Sequence, residues 1–168
     1  MPHVSQSRAR KLAIAVAAAL AEYVDDRADV LTLWHPSFTT KIKLSEAIVN
    51  VRPASRGRAN DGRSTGSRDV VIEISVVQSL PEPKQGEDSF NANDTIDELD
   101  ALAEMIMELF VRVDDPEEDD TAGALSQRSF YQFIPTDGVD QPATLFNQVL
   151  ESDRLFLTVI TVPYRRWE

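Results

Sequence analysis

Residues 154–164 read Arg-Leu-Phe-Leu-Thr-Val-Ile-Thr-Val-Pro-Tyr. Successive side chains of a strand point to opposite faces, so Leu155, Leu157 and Val159 share one face and Phe156, Ile160 and Val162 the other. A strand apolar on both faces lies beneath helices at the centre of a sheet, or is sealed on one side by a neighbouring subunit. The rest of the chain must therefore supply partner strands and at least one helical layer. With 168 residues it has the size of a single domain over residues 1–168. A domain of that length buries roughly two-thirds of its unfolded surface without covalent staples.

The other elements follow from periodicity. From residue 7 to about residue 24, Leu12, Val16, Ala19, Leu20 and Tyr23 recur at helical spacing. Ser7 stands where an N-cap belongs, and Ile14 with the alanines widens the apolar face. The connector holding Trp34, Pro36 and Phe38 shows no period. Ala47, Val49 and Val51 then alternate with Ile48, Asn50 and Arg52, a strand that Pro53 is expected to end. Residues 69–78 form the clearest strand, with Val70, Ile72, Ile74 and Val76 on one face and Glu73 and Ser75 on the other. Thr95 and Glu98 stand in capping-box spacing ahead of a second helix whose buried stripe is Leu99, Leu102, Ala103, Ile106, Leu109 and Phe110. A further strand is expected around 129–134 and a short helical turn near 145–150. The expected fold is α+β: a mainly antiparallel, twisted four-stranded sheet flanked by two main helices, in the order α-β-β-α-β-β with a short extra helical turn.

Catalytic equipment is sparse. There is no cysteine, and the histidines are His3 and His35 alone, which excludes thiolate metal sites, Cys nucleophiles and a histidine cluster. The run from Gly57 to Ser64 has P-loop spacing with Arg63 in place of the lysine. A P-loop needs a strand before it and a helix after it. Here the next element is the strand beginning at Asp69, which leaves a glycine-containing hairpin loop. The acidic run Asp114, Asp115, Glu117, Glu118, Asp119 and Asp120 lacks the alternating ligands and glycine turn of a calcium loop. It reads as a solvated acidic loop over residues 111–127. No enzymatic activity, cofactor, metal or nucleotide is expected.

Charge is more informative. The net charge is −11, which argues against general nucleic-acid coating and against anionic membranes. The apolar run 12–21 is too short to span a bilayer. Glu22, Asp25 and Asp26 follow it with no small-residue cleavage site, so an intracellular soluble protein is expected. Within this acidic chain, Arg52, Arg56, Arg58, Arg63 and Arg68 cluster around a loop at 54–68 whose only carboxylate is Asp61. Five arginines in seventeen residues exceed what solubility requires. The cluster is either a solvated basic hairpin loop or an arm that meets an acidic surface, such as that of another copy. No aromatic side chain interleaves them to stack on single-stranded nucleic acid.

The order of these elements resembles the tail terminator (tail completion) proteins of long-tailed bacteriophages and the related neck and minor tail proteins. The likeness runs through Ala-Leu-Ala-Glu-Tyr (19–23), Ile-Val-Asn-Val-Arg-Pro (48–53), the long hairpin loop and Val-Val-Ile-Glu-Ile-Ser-Val-Val (70–77). It continues through Ile-Asp-Glu-Leu (96–99) and residues 154–165. It covers nearly the whole chain as a pattern of element order, without a diagnostic motif, and the acidic loop after Val113 has no counterpart in it. The resemblance implies a twisted sheet flanked by helices. It further implies a ring, commonly of six copies, that caps the tail tube and joins it to the head. The implied partners are other copies, the tail tube protein and a head-completion or stopper protein. DNA would be only cargo passing through the channel, and the implied location is the virion tail or neck, assembled in the host cytoplasm. The alternatives are a head-completion, stopper or neck protein on the portal side, and a small α+β ligand-binding module outside phages.

Overall fold

The computed structural model describes residues 7–34, 45–60, 66–80, 93–110, 127–128, 131–133 and 154–167. Helix α1 spans Arg8–Val24 and is followed by a single 3-10 turn, Asp25–Arg27. The strands are β1 (Asp29–Leu31), β2 (Ile48–Asn60) and β3 (Gly66–Ser79). After helix α2 (Asn93–Glu108) come β4 (Gln127–Arg128), β5 (Tyr131–Phe133) and β6 (Leu155–Trp167). They form one sheet in the order β1-β2-β3-β6-β5-β4. Every neighbouring pair is antiparallel except β1 with β2.

The fold is α+β with a mainly antiparallel sheet. The four expected strands are present as β2, β3, β5 and β6, and two short strands, β1 and β4, are added at the edges. The expected turn near 145–150 lies outside the described residues, as does the acidic loop except Gln127, which opens β4.

Two layers make the core. Ser7 caps α1, its Oγ accepting from the Arg10 backbone N–H at 3.2 Å. Leu12, Val16, Ala19 and Leu20 are buried as the period requires. Helix α2 begins at Asn93, two residues before Thr95, so Thr95 lies inside the first turn and is not the cap. Its stripe, Leu99, Leu102, Ala103, Ile106, Leu109 and Phe110, is buried throughout. Both helices cover the same sheet face, packing against Val49, Val51, Val70, Ile72, Ile74, Val76, Phe156, Ile160, Val162 and Tyr164. The opposite face of β6 joins a smaller cluster in which Leu155 meets Ile48 and Val77, with Leu31 and Leu157 beside them.

Strand β2 does not end at Pro53. It continues to Asn60, with Pro53 opposite Ile72 and a bulge between Pro53 and Ser55. The reason is the shortness of β1, which pairs with β2 only as far as Asn50. Beyond that point β2 is an edge strand, where a proline is tolerated because no ladder partner needs its missing N–H.

The aperiodic connector after β1 is held by side chains. Asn50 is buried, and its amide reproduces a backbone pair: Oδ1 accepts from the Leu33 N–H at 2.8 Å and Nδ2 donates to the Leu33 carbonyl at 3.1 Å. Arg10 of α1 donates to the Thr32 carbonyl and to its Oγ1, and its guanidinium lies 5.3 Å from the Trp34 ring centroid.

Candidate interaction surface

The arginine-rich segment is mostly strand, not loop. Residues 54–60 belong to β2 and 66–68 to β3, which correct the expected hairpin loop of 54–68 to a hairpin whose strands close at Asn60 and Gly66. Strand β6 accompanies it, with Arg165 opposite Asp69, Arg166 opposite Arg68 and Trp167 opposite Ser67. The helical layer has little to hold at this end, because residues 54–60 and 66–69 contain no apolar side chain larger than alanine. Seven residues of β2 from Ala54 to Asn60 span roughly 20 Å at strand rise. This end of β2, β3 and β6 forms a ledge, which β5 joins through Gln132 opposite Arg165 and Phe133 opposite Tyr164. This topology also removes the P-loop reading, since Gly57 stands in β2 and a strand follows where the helix should be.

The sequence candidates separate into two groups. Arg52 is a sheet residue whose charge is already used: its Nε and Nη2 reach Glu73 Oε1 at 2.8 and 2.6 Å, and Nη1 donates to the Trp34 carbonyl at 3.2 Å. Arg56, Arg58 and Arg68 are brought together on the ledge, with Arg56 opposite Val70 and Arg58 opposite Arg68. Arg63 lies outside the described residues.

Sequence reasoning missed Arg165 and Arg166. Their signal was the Arg-Arg pair closing the doubly apolar strand, but its meaning depends on register, which periodicity does not supply. Arg165 is neutralised across the strands by Asp69, Nε to Oδ1 at 2.7 Å and Nη2 to Oδ2 at 2.9 Å. Arg166 completes a row, Arg58–Arg68–Arg166, on three adjacent strands. The paired residues from Ser55–Val71–Pro163 out to Asn60–Gly66 hold five arginines (56, 58, 68, 165 and 166) and one carboxylate, that of Asp69.

The Asp69–Arg165 pair has a pH signature. The two hydrogen bonds from Arg165, aided by its charge and opposed by partial burial, hold the Asp69 carboxyl below its usual range. A depressed folded-state pKa contributes stability above the unfolded carboxylate pKa, about 4, and loses it as pH falls through the folded value. Both side chains are about one-third exposed, at 33% and 30%, so the pair is worth about 0–1 kcal/mol. Asp69→Asn is expected to melt at most a few degrees below wild type at pH 7, a gap that narrows as pH falls below the ordinary carboxylate range. Thermal melts across that range check this, and a gap that widens on acidification would contradict it.

Elsewhere, a shallow cleft of about 400 Å³ is lined by Arg27, Ala47, Glu98, Leu99, Ala101 and Leu102. It lies at the end of β2 remote from the ledge, and among the described residues its lining includes no histidine, hydroxyl or thiol. Among the described residues no three His, Cys, Asp or Glu side chains gather as metal ligands, and no helix is long and apolar enough to cross a membrane. Against known proteins, neither a family model nor a curated sequence matches the chain.

Proposed function

We propose that the chain is a structural subunit that works by assembling, in the manner of the phage tail terminators its element order resembles. In this reading copies close into a ring, six in the family pattern, which caps the tail tube and receives the head-completion protein on its other side. DNA passes through as cargo, the protein resides in the virion neck, and no catalysis is involved.

The supporting observation is the ledge. A sheet end that carries five arginines on β2, β3 and β6, in a chain of net charge −11, is suited to meeting something acidic. A ring of heterologous contacts needs two different, complementary patches on each subunit. The basic ledge and the acidic remainder of the chain provide such a pair. The open sheet with both helices on one face is also unlike the small β-barrels of stopper proteins.

Light scattering and electron microscopy of the purified protein, alone and with tail tubes, test the reading. Rings or tube-capping particles are expected, with association falling as salt rises through the screening range. Arg56→Ser/Arg58→Ser/Arg63→Ser is expected to weaken assembly while leaving the melting temperature nearly unchanged, since exposed pairs contribute about 0–1 kcal/mol each. Protein that stays monomeric at all concentrations, even with tail tubes, would overturn it.

A further inference from the structure

Among the described residues, the large apolar side chains left exposed are Leu33 and Trp34, at 39% and 44%. Scattered exposed apolar side chains need no explanation, but these two stand on a backbone that polar side chains hold from other elements. Asn50, buried in β2, clamps both the N–H and the carbonyl of Leu33. Arg52 donates to the Trp34 carbonyl at 3.2 Å. Arg10 holds Thr32, and its guanidinium lies 5.3 Å from the Trp34 ring centroid. A buried amide and two guanidiniums thus fix an indole that is itself left exposed. Fixing an aromatic side chain in advance lowers the ordering cost of binding with it, which is what an interface anchor requires.

The receiving shape is the cleft of about 400 Å³ where the 3-10 turn, the entry to β2 and helix α2 meet. Its floor is apolar, from buried Ala47, Leu99 and Leu102, and its rim carries exposed Arg27 and Glu98. An indole buries its rings on such a floor, gives its N–H to an acceptor and takes a cation on its face. Glu98 supplies the acceptor and Arg27 the cation. Trp34 does not fill the cleft of its own chain. Arg10, over its ring, lies in the first turn of α1, and Arg27 lies beyond the other end, so roughly 25 Å of helix separates them. The surroundings are opposite in charge. Arg8 and Lys11 flank Arg10 at the indole's end, whereas Asp26, Glu46 and Asp97 are exposed beside the residues of the cleft.

We infer that Trp34 of one copy docks in the cleft formed by Arg27, Ala47, Glu98, Leu99 and Leu102 of a second copy. This rests on the assembly reading above and names a contact within it. Charge complementarity selects the occupant, because the basic end and the acidic end belong to the same chain. Each copy gives one anchor and receives one through two different patches, the heterologous contact from which rings close.

The test uses full-length wild type, Trp34→Ala, which removes the anchor, and Ala101→Gln, which narrows the cleft from an exposed position on α2. Mass by light scattering is followed against protein concentration and salt. Each variant alone is expected to associate at least about tenfold more weakly than wild type. Mixed, they are expected to form a one-to-one dimer and nothing larger, because the open cleft of the first accepts the anchor of the second. Ala101→Gln leaves residues 32–34 unchanged, so it decides the matter even where Trp34→Ala does not fold. A second readout uses Trp167→Phe, which leaves Trp34 as the single tryptophan. Its emission is expected to shift to the blue as concentration rises, and adding Ala101→Gln to that chain to abolish the shift.

Association at wild-type strength in either variant, or no dimer in the mixture, overturns the inference while leaving the assembly reading standing. Blue emission at every dilution would put the indole against its own chain, and that also overturns it. If Trp34→Ala associates with itself normally but no longer caps tail tubes, the anchor belongs to the tube protein and not to a second copy. A wild type monomeric under all conditions, even with tail tubes, overturns the assembly reading and the inference with it.

Discussion

Replacing Ile160 with aspartate is expected to unfold the protein at room temperature, whereas the same change at the adjacent Val159 leaves a cooperative melt. Ile160 is fully buried, stands opposite Ile74 in the register, and belongs to the core beneath the helices. The substitution removes about 1.5–3 kcal/mol of apolar burial and leaves a charge that must stay unpaired in the core or be protonated, at several kcal/mol more. Domains are stable by only about 5–15 kcal/mol, so the sum consumes most or all of it. Val159 points to the face away from the helices and is only half-buried. An aspartate there keeps access to water, and a loss of about 1–2 kcal/mol is expected, within the ordinary range for point changes. Circular dichroism melts of the two variants decide the matter. Equal melting of both would mean that β6 is not apolar-critical on its helix-covered face.

That contrast shows which parts of the fold the sequence makes legible. Both helices announce themselves through stripes at the helical period, and every residue of the α2 stripe is buried. The two faces of β6 are equally visible as a pattern, but the pattern does not say which face the helices cover. What breaks the tie is spatial: Phe156, Ile160 and Val162 share their face with Ile72, Ile74 and Val76 of β3, the residues on which the helices sit. Short or register-dependent features were not legible. Strand β1 is three residues long, and the connector after it is held by Asn50 and Arg10, far away in sequence. Pro53 reads as a stop by local rules and is overridden by its place on an edge.

The candidate site shows the same division. The concentration of arginine around residues 52–68 is plain in the sequence, but the sequence cannot sort it. Structure shows Arg52 committed to Glu73, and it recruits Arg166, nearly a hundred residues from Arg68, into the row. In one dimension the arginine that pairs inside the sheet looks like its neighbours in the sequence. Whether the opposite strand answers an arginine with a carboxylate, as Glu73 answers Arg52, is a property of register.

Register at this end depends on how β6 is anchored, and Phe110 is the anchor nearest to the row. It follows the last turn of α2, is fully buried, and meets Tyr164 edge to face with ring centroids 6.4 Å apart at 79°. Phe110→Ala is expected to cost about 3–5 kcal/mol, combining lost transfer energy, the cavity, and the aromatic pair. In a protein of this length that lowers the melting temperature by roughly 10 °C. The damage should also be local. Backbone amides of residues 164–166 are expected to exchange faster by a larger factor than those of the α1 stripe, because the released strand end opens without global unfolding. Association should then weaken although no arginine has been changed, as the row loses the backbone that aligns it. Calorimetry, hydrogen exchange and light scattering on one sample of the variant measure all three effects. If the melt stays within about 2 °C of wild type, the Phe110–Tyr164 contact is not what holds the end of β6. If stability falls while association is unchanged, the ledge keeps its shape without its anchor, and the link from core packing to docking is broken.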